Sequence, residues 1–205
     1  MTNSVLGVRN IQHTNGTDAM TIASDGSVTI TNTPGQILEV LAGICDGQSI
    51  TVKSGTYTMP NITASQTLTT SYADIPGSQI SYTPPAGTAQ VIYEFIHQFA
   101  WSQDHAISHW KLFIDGTEVT KARKSISGRY PENQHNQTWV FPIGGTADST
   151  TGRQATWTSA KTIKFQAREY GTSNGYDKLY TTTYWDGGSS SPQFSIPMIR
   201  ITAIS

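Results

Sequence analysis

Hydrophobic and polar residues alternate along most of this chain with the two-residue period of β-strands. The clearest case is KTIKFQAREY, in which Ile163, Phe165 and Ala167 fall on one face and charged or amide side chains on the other. This pattern is typical of a strand with one buried and one hydrated face. Apolar repeats of helical period never extend beyond two turns, so the pattern predicts an all-β protein.

From Gln36 onward the predicted strands follow one another at the intervals of a sandwich or barrel. They are 37–45, 50–58, 66–72, 78–83, 90–100, 107–115, 118–126, 137–143, 154–158, 161–170, 178–185 and 194–204. Asp115 and Gly116 supply a hairpin turn in WKLFIDGTEV, and VIYEFIHQF suits a central strand because large groups occupy both of its faces. The predicted fold is a jelly-roll-like β-sandwich preceded by a short N-terminal β-ribbon.

The N-terminal ribbon has fewer hydrophobic positions than the rest of the chain. If residues 24–26 form a hairpin loop with Gly26 in the left-handed region, four apolar side chains lie on one side of the ribbon. These are Met20, Ile22, Val28 and Ile30. An isolated ribbon is marginal in water, so this face needs a partner surface, and the same face of a neighbouring chain would supply it. The alternative is a hairpin that packs on its own domain.

Apolar alternation becomes dense after Pro34 and Gly35. This change predicts two parts, an N-terminal shaft or attachment segment at 1–35 and a head domain at 36–205. Short strands punctuated by glycine in front of a globular domain are typical of a shaft built from several chains.

Composition limits the partners of this chain. It has 13 Lys and Arg against 14 Asp and Glu, a net charge of −1, so we expect neither nucleic acid nor an anionic membrane as its main partner. No window is apolar over the roughly 18 residues of a membrane span, and MTNSVLGVRN lacks the apolar region of a signal peptide. The single cysteine, Cys45, lies in the apolar stretch ILEVLAGIC, which predicts a packed free thiol.

The segment HAISH is the strongest candidate for a metal-binding site. It holds His105 and His109 four residues apart, with Asp104 beside them. On a helix this spacing would place two imidazoles on one face, as zinc sites require, but here the segment enters a strand. Because no Glu follows His105, the HExxH signature is also missing. We therefore expect no metal site and no cofactor.

Motifs of enzymatic catalysis are also missing from the sequence. It contains no GxSxG elbow, no P-loop and no dinucleotide fingerprint. The carboxylates most relevant to glycoside hydrolysis are Glu94, Glu118, Glu132, Glu169, Asp177 and Asp186. Local spacing pairs none of them, although the fold can bring two together. We expect a non-enzymatic protein, with a small carbohydrate-active tailspike or depolymerase as the alternative.

Three polar loops combine aromatic rings with hydrogen-bonding side chains: SGRYPENQHNQT (127–138), GTSNGYDK (171–178) and YWDGGSSSP (184–192). Sugars stack their C–H faces on such rings and bond through their hydroxyls to amides and carboxylates. The candidate glycan-binding residues are Tyr130, His135, Tyr176, Asp177, Trp185 and Asp186. Tyr180 and Tyr184, within a predicted strand, are expected in the core or an interface. A cellular sugar-binding lectin is a further alternative.

The order of several segments resembles a module of marine viruses. LTTSYADIPGSQISYTPPAGTAQVIYEF (68–95) is followed by SHWKLFIDGTEVT (108–120), and then by IKFQAREYGTS, YTTTYWDG and FSIPMIRITAI. Together they are similar to modules of cyanophage tail-fibre and structural proteins and of virion proteins of large algal viruses. The similarity covers about residues 36 to 204. TNGTDAMTIASDGSVTI resembles the repeat-like segment that precedes such modules in fibres.

This resemblance implies a virion component with a jelly-roll-like head, often trimeric, that decorates the particle surface or tail or meets the host surface. The expected partners are further copies of the chain in a homotrimer, other virion proteins through the N-terminal segment, and host-surface glycans. The resemblance implies no catalytic residue in this chain.

Overall fold

A computed structural model of the chain describes residues 10–12, 18–24, 26, 28–30, 34–101, 106–128, 133–171, 177–183 and 192–205. All the secondary-structure elements in these ranges are β-strands, and the named strands pair only in antiparallel fashion. The prediction of an all-β protein is confirmed. The described residues include no helix long and apolar enough to cross a membrane.

Three short strands near the N-terminus form a sheet of their own. They are β1 (Asn10–Gln12), β2 (Asp18–Ile22) and β3 (Val28–Ile30). Ile22 lies opposite Val28 and Met20 lies opposite Ile30, which is the register predicted for the hairpin. Gly26 has a φ of 84°, the left-handed conformation that the turn requires.

The strands that follow are β4 (Ile37–Ile44), β5 (Ser49–Val52), β6 (Gly55–Thr58), β7 (Gln66–Thr67), β8 (Ala73–Asp74), β9 (Ile80–Tyr82), β10 (Gln90–Trp101), β11 (Ala106–Ile114), β12 (Thr117–Gly128), β13 (Asn133–Pro142), β14 (Lys161–Glu169), β15 (Asp177–Leu179), β16 (Thr181–Thr182), β17 (Gln193–Phe194) and β18 (Met198–Ile204).

Eight of these strands form the two sheets of a jelly roll. The first sheet has the order β4-β18-β10-β13 and the second has β9-β14-β11-β12. Counted along the chain, the first strand pairs with the eighth (β4 with β18), the second with the seventh (β9 with β14), the third with the sixth (β10 with β13) and the fourth with the fifth (β11 with β12). A long antiparallel ribbon that rolls up produces this nesting, and the predicted jelly-roll-like sandwich is confirmed.

Inward-facing side chains of the two sheets form one core. Tyr93 and Phe95 of β10 meet Trp110 of β11 and Phe165 of β14, with ring centroids 6.0 to 6.3 Å apart in the Tyr93–Phe165, Trp110–Phe165 and Phe95–Phe165 pairs. All four are buried, as strand alternation predicts. Burial also raises the pKa of the Cys45 thiol to about 12, and its Sγ donates to a backbone carbonyl, so this residue is a packed thiol.

The segment predicted as a strand at 154–158 is not one. Gln154 forms an isolated bridge with Ile143, and residues 155–160 join no ladder. Trp157 nevertheless points into the core, and its indole N–H donates to the carbonyl of Tyr82 at 3.0 Å. The alternation in this segment therefore reflects one anchoring ring and not a paired strand.

Two further predicted strands differ from the structure in extent. The segment 50–58 is a hairpin of β5 and β6, because the chain reverses between Val52 and Gly55. Of the segment 66–72, only Gln66 and Thr67 are assigned to a strand.

Candidate functional site

One end of the jelly roll gathers the residues that flank the predicted polar loops. The strand pairs that meet there are Phe99 with Asn133, Trp101 with Asp177, Ala106 with Gly128 and Ser108 with Glu169. The backbone N–H of Tyr180, shortly before the third loop, donates to the carbonyl of Gln98 at 2.8 Å. We call this the loop end of the jelly roll.

The N-terminal part of the chain joins the sandwich at the opposite end. Gly35 donates its backbone N–H to the carbonyl of Ser205 at 2.7 Å, and Ile37 pairs with Ile204. Ile204 in turn pairs with Gln90, the first residue of β10, whereas the last residue of β10 lies at the loop end. At about 3.3 Å per residue, β10 separates the two ends by roughly 36 Å.

The interior of the sandwich changes character along this axis. Towards the end where the chain enters, inward positions are mostly apolar, for example Val91, Phe141 and Ile163, and the exception is Glu39, whose buried carboxylate accepts the Tyr82 hydroxyl at 2.7 Å. Towards the loop end, inward positions carry polar side chains that are no more than 1% exposed. They are His97, Ser108, Gln137, Glu169 and Asp177. We call this set the interior polar cluster.

Glu169 ties three strand ends together. Its Oε1 accepts the backbone N–H of Ile107 at 2.9 Å and that of Tyr170 at 3.3 Å, and its Oε2 accepts the backbone N–H of Asp177 at 3.0 Å. Buried backbone N–H groups at strand ends need acceptors, and this one carboxylate serves β11, β14 and β15. Glu169 therefore holds the ends of these three strands together at the loop end.

Asp177 has an unusual protonation equilibrium. Burial raises the pKa of its carboxyl to about 7, the Ser108 hydroxyl lowers it in part, and the nearby Glu169 raises it further. Neither carboxyl oxygen receives a hydrogen bond of standard geometry from a described residue, so the Ser108 interaction is a loose one. The Ser108 hydroxyl itself accepts the indole N–H of Trp110 at 2.9 Å. Asp177 therefore changes its charge near neutral pH.

A stack of aromatic and imidazole rings runs beside this carboxyl pair. The His97 ring is stacked between Phe95 and Trp110, at 4.8 Å and 5.3 Å between centroids, and burial lowers its pKa to about 3. His135 lies 6.1 Å from His97 and packs on Phe99 at 4.2 Å. His97 is consequently neutral in the folded protein over the physiological pH range.

Several polar atoms of this region have no partner among the described residues. They include Nε2 of His97, both side-chain polar atoms of Gln137 and both carboxyl oxygens of Asp177. A buried polar group without a partner lowers the stability of the fold by about 1–3 kcal/mol. Such groups are typical of sites that water or a ligand completes.

The structure describes only two of the six predicted glycan-binding residues. His135 lies on β13 at the loop end, half-buried; burial lowers its pKa, and the charge of Lys124 lowers it further. Asp177 lies in β15 and not in a loop, with its side chain enclosed, because Asp177 and Leu179 occupy the inward positions of that strand. Tyr130, Tyr176, Trp185 and Asp186 lie outside the described residues.

The HAISH segment is described only in part. Asp104 and His105 lie outside the described ranges, and His109 lies on β11 with Nδ1 2.8 Å from Oγ of Ser125. In the portion of the chain that is described, no three His, Cys, Asp or Glu residues are grouped as a metal site requires. Tyr180 is buried, as predicted, and Tyr184 lies outside the described residues.

Alternation alone carried a signal for the interior polar cluster. Glu169 follows Ala167 on the buried face of KTIKFQAREY, and Ser108 precedes Trp110 on the buried face of its strand. His97 likewise follows Phe95. Polar residues that continue a buried face mark the point where a core becomes polar, so this part of the cluster was predictable from the sequence.

No protein-family model matches this chain, and no curated protein matches it. Among solved structures, it is similar to a chain in the structure of infectious bursal disease virus, Gx strain, with 11% identity and a TM-score of 0.36 over 89% of this chain and 41% of that chain. A chain of the Gt strain gives 12% identity and a TM-score of 0.29, over 91% and 46% of the two chains. The protein thus spans less than half the length of these viral chains, and the similarity is too low to define a function.

Proposed function

We propose that this protein is a non-enzymatic structural component of a virion, a jelly-roll head at the particle surface or tail that meets host-surface glycans through its loop end. The observation that carries the proposal is that the head has two distinct ends. The chain enters beside Gln90, and the residues flanking the polar loops lie at the other end of β10, roughly 36 Å away. A segment that anchors the head at one end leaves the loop end free to reach a partner.

The order of segments along the chain supports the same role. Segments 68–95 and 108–120 contribute to β8 to β12 of the jelly roll, and the module they resemble occurs in virion proteins of marine viruses. The N-terminal sheet supports a shaft, because its apolar face includes Val28, 55% exposed. Burial against the same face of two other copies would form a trimer.

Glycan recognition at the loop end is proposed from the types of side chain in the polar segments. The polar segments 127–138, 171–178 and 184–192 supply rings for stacking, together with amides and the carboxyls of Glu132 and Asp186 for hydrogen bonds. The Asp177 carboxyl is enclosed, and residues 133–138 lie in β13. We expect each copy of the site to bind weakly on its own. Multiple copies in a trimer and on a particle would raise the overall affinity by orders of magnitude.

A glycan array probed with the purified protein tests this proposal. We expect binding that falls at least tenfold in Tyr176→Ala and Trp185→Ala, and that is unchanged in Ile37→Ala, an exposed side chain at the opposite end. If the protein binds no glycan but reassociates with virions stripped of it, the attachment role is wrong and the structural role stands. Failure to bind either would contradict the whole proposal.

A carbohydrate-active enzyme is the second candidate, and one observation favours it. The fold brings Glu169 and Asp177 together, and a carboxyl whose pKa is raised to about 7 has the property that glycosidases require of a general acid. Both side chains are enclosed, so a substrate would reach them only after the loop end opens. Release of reducing ends from polysaccharides, lost in Asp177→Asn, would support this candidate.

A further inference from the structure

The outer face of the β4-β18-β10-β13 sheet carries many apolar side chains. Residues that alternate with the core positions of these four strands point outward and line up in four rows across the sheet. Ile92 and Ile96 of β10 lie in the middle of this surface, half-buried. The apolar side chains around them that are at least 36% exposed include Ile37, Val40, Ile44, Val140 and Met198. We call this surface the apolar face.

The outer face of the second sheet has a different character. On that face His109 lies beside Arg168, and Lys111 lies beside Gln166. Antiparallel sheets of a sandwich commonly keep a hydrated outer face of this polar kind. Contiguous apolar patches larger than a few hundred Å² mark surfaces that contact other molecules. The difference between the two sheets therefore indicates that a partner covers the first one.

The apolar face is large enough for a weak specific contact. Strands lie about 4.8 Å apart and outward residues follow one another at about 6.6 Å, so four rows on four strands cover roughly 500 Å². Two such faces in contact bury roughly 1,000 Å² in total, which is the low end for specific interfaces. An association of this size is reversible and depends on protein concentration.

One ion pair lies at the centre of the apolar face. The Arg200 guanidinium on β18 binds the carboxylate of Glu94, the residue directly opposite on β10. Asn136 of β13 donates a side-chain N–H to Oε1 of Glu94 at 3.0 Å. The Arg200 side chain remains 53% exposed, so its guanidinium can donate to a further acceptor. Within the four rows, all of which the structure describes, these are the two charged residues, and the face is electrically neutral.

From these observations we infer that the apolar face binds the same face of a second copy of the chain, about a two-fold axis that runs parallel to the strands between β10 and β18. Such an axis places Arg200 of each copy over Glu94 of the other, so both charges gain a second partner. It also places Val40 over Val140 of the second copy. Apolar side chains then fill the space between two aligned sheets about 10 Å apart.

The charges of the apolar face favour a second copy over other occupants. A nucleic acid or an anionic membrane is attracted by net positive charge, and this face has none. A three-fold axis at the same place would bring three Arg200 side chains together, where like charges repel. The two-fold axis is the arrangement in which each guanidinium meets a carboxylate.

This axis fixes the relative direction of the two heads. Rotation about an axis parallel to the strands leaves the strand direction unchanged, so both loop ends point the same way and both chains enter at the other end. Two paired heads therefore present their loop ends to one surface. The inference goes beyond the proposed function, because the proposed trimer forms through the N-terminal sheet and this contact joins heads of neighbouring trimers.

Sedimentation equilibrium of the full chain tests the inference. The chain carries Ile22→Asp and Val28→Asp, so that the N-terminal sheet does not contribute to association. We expect the mass to rise from one chain to two as the concentration increases, with a Kd of about 10–100 μM because the interface is small. This chain is the parent for the variants that follow.

Opposite charges at one contact test the axis itself. Val40→Lys alone and Val140→Glu alone should each raise Kd at least about tenfold, because each buries a charge without a partner. Both changes in one chain should return Kd to within about threefold of the parent, since the axis sets each new charge over its opposite in the second copy. Ile107→Lys is the matched control on the outer face of the second sheet, where Ile107 is 38% exposed. It should change Kd less than about twofold.

Several outcomes would overturn the inference: a single chain at every concentration, a mass of three chains, single variants that associate like the parent, or no recovery when both changes are combined. An effect of Ile107→Lys as large as that of Val40→Lys would also overturn it. Thermal unfolding of each variant, expected within about 2 °C of the parent, separates loss of association from loss of folding. Glycan binding plays no part in these measurements, so this inference and the proposed function can fail separately.

Discussion

The backbone N–H of Asp177 donates a 3.0 Å hydrogen bond to Oε2 of Glu169, and both carboxyl groups lie inside the sandwich. The bond joins the beginning of β15 to the end of β14 at the loop end of the jelly roll. Closure of this end therefore depends on a buried pair, of which Asp177 titrates near neutral pH. The stability of the head should therefore vary with pH, and substitutions can assign this dependence to individual titrating residues.

Asp177→Asn should stabilise the protein above neutral pH. Burial raises the pKa of the folded carboxyl from 3.8 to about 7, so the folded state binds this proton more tightly than the unfolded state does. The parent therefore loses stability as pH rises from about 4 to 7, and the loss is complete above pH 7. The limit set by this shift is about 4 kcal/mol, and we expect 1–3 kcal/mol in favour of the variant at pH 8 by urea unfolding.

Asp148→Asn is the matched control. Hydrogen bonds from Thr150 and Thr151 lower the pKa of Asp148, so its contribution is present above the unfolded pKa and is lost as pH falls. This variant should lose stability at pH 8, the opposite sign to Asp177→Asn. If both variants respond alike, the Asp177 carboxyl is not the titrating group.

His97→Phe should make the protein more resistant to acid. Burial lowers the pKa of the folded imidazole from 6.5 to about 3, so the unfolded state binds the proton more tightly. The parent accordingly loses stability as pH falls from about 6.5 to 3, by up to about 3 kcal/mol at pH 4. A phenyl ring keeps the stack with Phe95 and Trp110 without titrating. Equal slopes of unfolding free energy against pH between 4 and 6.5 would contradict this prediction.

Gly152→Ala should destabilise the head by about 2–4 kcal/mol. Gly152 has a φ of +77°, and a Cβ there would lie 2.9 Å from Phe141 and 3.1 Å from Val119, both in the core. Gly116→Ala is matched in backbone, with a φ of +75°, but its Cβ would meet nothing within 4 Å. It should cost only about 1 kcal/mol, from the left-handed conformation alone. Thermal unfolding measures the difference, and equal losses would show that the contact with Phe141 is unimportant.

Ile22→Asp with Val28→Asp should dissociate the proposed trimer while leaving the 36–205 head folded. These residues face each other across β2 and β3, and two carboxylates there would not tolerate burial against neighbouring copies. Thr21→Asp, on the other face of the same strand, should keep the parental mass. Light scattering gives the mass of each variant. An unchanged mass in the double variant would show that this face is not the interface.

Local alternation was sufficient to predict most of the fold. Ile163, Phe165 and Ala167 point inward as predicted, because pleating sends successive side chains to opposite faces whatever the partner strand is. The hairpin turn at Asp115 and Gly116 was also predictable, since both adopt the positive φ angles, 47° and 75°, that a two-residue turn needs. The segment 154–158 was mispredicted because a single buried Trp imitates a strand period.

The sequence by itself determined the all-β class, the inward faces of the long strands, and the turns that join β2 to β3 and β11 to β12, since these depend on neighbours along the chain. Only the tertiary structure brought Glu169 and Asp177 beside Ser108, because the nested pairing of eight strands decides which strand ends meet. Long-range strand pairing sets this arrangement, and its free energy comes from the whole core and not from the local sequence.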